Sequence, residues 1–209
     1  MRKVLSLFLA LFLITIALCS GIVYWRTLHN KHSAEAALSD ARMLIVGVSA
    51  FADAQRLSDQ YDRYLKHSPQ SCNQNQCDLF FSFDNKWLNA TKLAPGTLFT
   101  ISIAVKDDKV RCVALLMSND RGGKVYVEQF PSGARISAYQ IEGKIQTVPP
   151  WHSDLIAVRF TPDASSVQKD SALGLNLDCL AKLRGCRDAE EMLPKAYAEL
   201  KARRQADSR

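Results

Sequence analysis

From Val4 to Trp25 the chain carries no charged residue. As a helix rising ~1.5 Å per residue, this apolar run is about 33 Å long and covers the ~30 Å hydrocarbon core of a bilayer. Arg2 and Lys3 precede it, and Tyr24 and Trp25 close it, where amphipathic rings favour the membrane–water interface. Within "TIALCSGIVYWR", Leu18 stands where a lipoprotein needs a small residue before its modified cysteine, so Cys19 is not read as a lipid attachment site. Cys19, Ser20 and Gly21 are small enough for signal-peptide cleavage, which is the rival reading, but the apolar run continues through Ile22 and Val23 and favours a retained span.

The rhythm then changes. After a polar collar at 26–33, residues 34–67 place apolar side chains at helical spacing, as at Leu44, Val48 and Phe51. Gly47 and the β-branched Ile45, Val46 and Val48 weaken the middle, which predicts either one long helix or two, the second capped by Ser49. Pro69 ends the segment. Period-two patterning follows in 79–83 and 97–105, with Phe99, Ile101, Ile103 and Val105 on one face. Asp107 and Asp108 form a two-residue turn before "KVRCVALLMS" and predict a β-hairpin. Three further strands, "KVYVEQF", "RISAYQI" and "LIAVRF", are separated by segments rich in turn formers, of which "VPPWHSD" is one.

Thr161, Pro162 and Asp163 read as a helix start, with the helix running to Arg184. A reversal at Gly185, a short helix, a break at Pro194 and a terminal helix complete the chain. The expected architecture is α+β, with a mainly antiparallel sheet of about six strands between helical segments. The expected division is a short cytoplasmic end at 1–3, an anchor at 4–25, the collar at 26–33, an extracytoplasmic domain at 34–194 and a basic helix or tail at 195–209.

Composition adds little to this picture. The 209 residues are 47% hydrophobic and 23% charged, as in an ordinary globular domain with a short appendage. Lys and Arg number 27 against 21 acidic residues, but they are scattered along the sequence, so no nucleic-acid partner is expected. The basic run "KARRQADSR" is read as a solvated, fraying helix end.

The cysteines fix the expected compartment. Cys72 and Cys77 bracket "NQNQ" in a polar loop, where a disulfide is reasonable. Cys179 and Cys186 would be ~10 Å apart on a continuous helix, beyond the ~7 Å that a disulfide allows between Cα atoms. A left-handed Gly185 turns the chain back and permits the bond. Two local disulfides with Cys112 left over is the preferred pattern among several, with Cys112 as a small buried apolar residue in "VRCVALLM". Neither cysteine spacing matches a zinc knuckle, so no metal is expected. Disulfides call for an oxidising compartment, which puts the domain outside the cytoplasm and the N-terminus inside.

Candidate chemistry is sparse. His29 and His32 could share a helix face beside the membrane but lack further ligands. His152, flanked by Trp151 and Asp154, is the single weak catalytic candidate, placed on a loop held by two prolines. Asp84, Trp87 and Trp151 are the candidate binding residues, with Phe83 and Leu88 beside Trp87 in a strand-to-turn transition. An equal or better explanation of that stretch is that Phe83, Trp87 and Leu93 plug one end of the core. Asn89-Ala90-Thr91 is a glycosylation sequon where the host modifies exported asparagines. Nucleophile elbows, phosphate-cradling glycine loops, His-Glu-x-x-His and Cys-x-x-Cys are all absent from the sequence, and no cofactor is expected.

"FDNKWLNATKLAP" and "LNLDCLAKLRGCRDAEEMLP" resemble segments of bacterial single-pass membrane proteins with a small exported α+β domain and no assigned activity. The resemblance covers two short stretches and implies only the compartment and the pairing of Cys179 with Cys186. The expected function is a non-catalytic binding or envelope-assembly module, held in the bilayer by 4–25 and meeting a protein partner in the envelope. The alternatives are an envelope hydrolase using His152, or a sensor or accessory subunit acting through a second membrane protein.

Overall fold

A computed structural model describes residues 2–67, 72–148 and 151–207, except for the side chains of 2–7, 67, 144–148, 151–153 and 207. The first helix, α1, runs without a break from Arg2 to Arg42, so the collar continues the apolar segment as part of one helix. Among the described residues it is the one helix long and apolar enough to cross a membrane. Residues 8–22 are exposed throughout. From Thr27 onward, Thr27, Ala34, Ala37, Leu38 and Ala41 are buried. These positions lie one, three, four or seven apart and form a single stripe along the helix. The alanines let the helix backbone approach the sheet closely.

Gly47, at φ +86°, turns the chain and donates its N–H to the Val110 carbonyl. Helix α2 (Phe51–Gln60) follows, so 34–67 forms two helices and not one rod. The expected Ser49 cap is not formed. Ala50 occupies the cap position and donates its N–H to Asp53 Oδ2, while Ser49 Oγ accepts from the Ile45 N–H. After a 3-10 turn at Asp62–Tyr64, residues Leu65–His67 form strand β1, where the sequence pattern extends the helix. The expected stop at Pro69 lies outside the described residues.

Strands β2 (Gln76–Asp84), β3 (Thr97–Lys106), β4 (Lys109–Asn119), β5 (Gly123–Gln129), β6 (Tyr139–Val148) and β7 (Trp151–Phe160) complete a seven-stranded sheet in the order β1-β2-β3-β4-β5-β7-β6, with a short helix, α3 (Lys86–Ala90), between β2 and β3. The β3–β4 hairpin forms as expected. Asp107 and Asp108 both take positive φ (53° and 57°), the geometry whose twist matches flanking strands and which Asp tolerates better than most residues. The sheet is mixed, because β5 pairs with β7 in parallel and the chain reaches β6 on the far side of β7 before returning.

One face of the sheet is the core. Phe81, Phe83, Phe99, Ile101, Ile103, Leu115, Met117, Val125, Val127, Ile156, Val158 and Phe160 are buried there, and each such side chain stabilises the fold by roughly 1.5–3 kcal/mol relative to exposure. Helices α1 and α2 cover one half of this face, and the C-terminal helices cover the rest.

In the C-terminal region the expected helix from Thr161 to Arg184 is much shorter. Helix α4 spans Ser166–Leu173, with Ser165 as its cap in a reciprocal box with Gln168. The Ser-x-x-Gln spacing outcompetes the Thr-Pro-Asp signal because it satisfies two backbone donors at once. Gly174 ends α4, and a 3-10 turn at Leu177–Leu180 follows. Helices α5 (Ala189–Met192) and α6 (Pro194–Asp207) close the chain, with Pro194 opening α6. The described part of the basic end is helical and solvated, with residues 201–206 all exposed, yet it is tied to the sheet: Arg204 donates to the Gly143 carbonyl on β6, and a Cβ at Gly143 would collide with Leu200.

Candidate functional site

Short α3 follows directly from β2, so it sits at the end of the sheet from which α1 leaves the domain. Two contacts fix it there. Asn30 on α1 donates through Nδ2 to the Asp84 carbonyl at 3.0 Å. Arg26, one turn earlier on α1, lies with its guanidinium carbon 4.6 Å from the centre of the Trp87 ring. Asp84, through its backbone, and Trp87, through its ring, are therefore both held against α1, and the Asp84 carboxylate accepts from the Lys86 N–H. Buried Asn85 locks the loop by donating to the Pro95 carbonyl and accepting from the Thr97 N–H. The core-plug reading of Trp87 and Leu93 does not hold. Phe83 and Leu88 are buried, whereas Trp87 is 39% exposed and Leu93 65%.

Two more loops meet this one. Asp120, in the β4–β5 turn, exchanges hydrogen bonds with Gly96, and buried Asn119 donates to the Cys186 carbonyl at 2.6 Å. Cys179 and Cys186 stand at disulfide distance, with Cα atoms 5.1 Å apart. Gly185 supplies the reversal at φ +58°, where a Cβ would approach Pro95 to 2.5 Å. The chain turns back from a 3-10 turn here, not from the end of a long helix. Beside this loop a groove is lined by Arg121, Lys182, Arg184, Arg187 and Glu191. Burial alone would raise the Glu191 carboxyl, but hydrogen bonds from Arg187 and the charges of Lys182 and Arg187 outweigh it and hold the group below the usual carboxylate range. Lys31 of α1 pairs with Asp178, whose hydrogen bond raises the lysine pKa. Among the described residues, neither Arg121 nor Arg184 has a carboxylate partner.

Cys72 and Cys77 also stand at disulfide distance, with Cα atoms 4.4 Å apart, at the opposite end of the sheet. Cys112 is not a core residue. The bulge at Ala104/Val105 shifts the register of β4, which places Cys112 half-buried on the outer face with its Sγ 3.5 Å from Glu128 Oε1. Burial first, and then the adjacent carboxylate, push its thiol up to about 12, the reverse of an activated nucleophile.

The segment expected as a loop around His152 is strand. Trp151, His152 and Ser153 belong to β7, paired with Val148, Thr147 and Gln146. The side chains of Trp151 and His152 lie outside the described residues, and Asp154 is buried in the same strand. His29 stacks on Trp25 with ring centroids 5.8 Å apart, and His32 reaches Glu35 at 3.1 Å. Among the described residues no group of three or more His, Cys, Asp or Glu could hold a metal ion.

The sequence pattern did not reveal the outer face of the sheet. Register aligns Leu98, Ser118, Lys124 and Leu155 in one row, and Thr100, Leu116, Tyr126 and Ala157 in the next. Phe80 and Leu98 are each 37% exposed, Leu116 36% and Leu155 39%. Arg159 stands between Glu128 and Glu142 at 3.9 and 3.6 Å, so these three charges are paired within the face, while Lys124 at its end is exposed. The available signal was the unbroken apolar run in β4, which fills the outward positions as well as the inward ones. No family model, curated protein or solved structure matches the chain.

Proposed function

We propose that the chain is a membrane-anchored extracytoplasmic module that acts by binding a protein partner in the envelope, without catalysis of its own. The observation that carries this reading is the outer face of the sheet, where Leu98, Leu116, Tyr126 and Leu155 are direct or diagonal neighbours in register, the three leucines are 36–39% exposed, and no helix among the described residues covers them. Contiguous apolar surface of this kind marks interaction sites. Because Arg159 is already engaged by Glu128 and Glu142 and Lys124 stays exposed in the row of Leu98 and Leu155, the face suits a partner with an apolar surface and an acidic group opposite Lys124. The two cysteine pairs support placement in an oxidising compartment. The apolar first part of α1 supports a retained anchor, with Arg2 and Lys3 on the inner side.

Site-specific photo-crosslinking in intact cells tests the reading. A crosslinker at position 116 is expected to give a discrete protein adduct that Leu98→Glu abolishes, while one at exposed position 62 gives none. Equal adducts at both positions, or no adduct at 116, would overturn it. So would turnover of ester, peptide, glycoside or phosphoester substrates that His152→Ala removes.

A further inference from the structure

We propose that the end of the domain from which α1 departs docks on the bilayer surface through anionic phospholipid headgroups. This rests on the reading of 4–25 as a retained span. The charge-free run ends at Trp25 and Arg26 is the first charge after it, which sets Arg26 at the hydrocarbon boundary. The headgroup layer adds roughly 5–7 Å on each side of the core, or about four residues of helix. Trp87 stacks on Arg26, and the Asp84 carbonyl is bonded to Asn30, four residues further on. Helix α3 therefore lies at headgroup depth, not above it.

The chemistry at this end fits that depth. Trp87, Leu93 and Leu183 are exposed apolar tips, and Trp is the side chain that best tolerates a half-apolar, half-wet setting. Around them Lys86, Lys92, Arg121, Lys124, Lys182 and Arg184 sit on the loops and strand ends of this end, and among the described residues none has an ion-pair partner here apart from Lys182, which lies 4.0 Å from Glu191. Acidic residues lie on the same loops, but each is already engaged: Asp84 accepts from the Lys86 N–H, Asp120 from the Gly96 N–H, Asp188 from the Glu191 N–H, Glu191 from Arg187, and Asp178 pairs with Lys31. At the opposite end Asp107, Asp108, Asp53 and Asp78 stand among Lys106, Lys109, Arg111 and Arg56 and offset them. The basic residues that look scattered in sequence are gathered by three loops, which Gly96, Asn119 and Gly185 lock to one another. A negatively charged leaflet attracts such a cluster, each Lys or Arg near its surface strengthening binding about fivefold.

The test is hydrogen exchange on the full chain in nanodiscs of zwitterionic lipid, compared with nanodiscs containing about 30% phosphatidylglycerol. Exchange of residues 86–96 and 181–188 is expected to slow by at least about fivefold in the anionic discs. The gain should vanish in about 0.5 M salt and in R121E/R184E, whose side chains make no ion pair that the fold depends on. Equal exchange in both lipids overturns the proposal. Equal protection in zwitterionic discs supplied with inorganic phosphate overturns it in favour of a soluble anion. Failure of the chain to enter nanodiscs at all overturns the anchor reading and the docking together, whereas incorporation with unchanged loops overturns the docking alone.

Discussion

The Asn119 side chain donates to the Cys186 carbonyl at 2.6 Å and accepts the N–H groups of both Arg121 and Gly123. One buried amide thus joins the β4–β5 turn to the Cys179–Cys186 loop. Asn119→Ala leaves three backbone groups without this partner and is expected to destabilise the detergent-solubilised protein by about 2–3 kcal/mol. Chemical unfolding measures this, and a change under about 0.5 kcal/mol would mean that water replaces the amide without cost.

Gly185 combines positive φ with close approach to Pro95. Gly185→Ala must distort the loop or displace the proline, at a cost of about 1–3 kcal/mol. Thermal unfolding checks the loss. Gly133 also has positive φ, but a Cβ there would meet nothing within 4 Å, so its alanine variant is the milder control.

Thr97 Oγ1 is buried with no hydrogen-bond partner among the described residues. Valine has nearly the same shape and leaves no polar group to desolvate, so Thr97→Val is expected to stabilise by about 1 kcal/mol. A destabilised Thr97→Val protein would show that the hydroxyl is bonded in solution.

Cys112 should be a poor nucleophile. At pH 8 its thiolate fraction is lower than that of an ordinary thiol by about 10³, partly offset by the greater intrinsic reactivity of a high-pKa thiolate. Iodoacetamide labelling in the folded protein is expected to be slower than in the unfolded chain by on the order of 10². Glu128→Gln removes one of the causes and should speed it.

Alkaline pH should destabilise the fold. Burial pushes Tyr139 up to about 12, and Tyr126 and Cys112 likewise to about 12. Ordinary values are roughly 10 for tyrosine and 8.5 for cysteine. The unfolded chain therefore releases these protons first, and stability present below about pH 8.5 is lost progressively as pH rises toward 12. Unfolding midpoints measured between about pH 8 and 11 should fall. Tyr139→Phe should flatten the decline, although it also removes the bond to Glu199 Oε2 at 2.9 Å.

Local patterns were legible wherever a single segment carried the whole cause. The uncharged run from Val4 to Trp25, the alternation of Phe99, Ile101, Ile103 and Val105, the Asp107-Asp108 turn and the Gly185 reversal each depend on residues adjacent in the chain. The α+β class followed from the order of those patterns. Tertiary structure decided what adjacency does not carry. The parallel β5–β7 pair depends on register between strands distant in sequence, the sheet edge at Leu65–His67 on pairing with Phe80 and Phe81, and the outward position of Cys112 on a bulge inside the β3–β4 hairpin that the apolar run through it does not mark. The Arg26–Trp87 contact and the convergence of Arg121 with Arg184 join positions far apart in sequence. Charge and apolar surface act through space, so only the folded chain shows which basic residues share one end and which leucines share one open face.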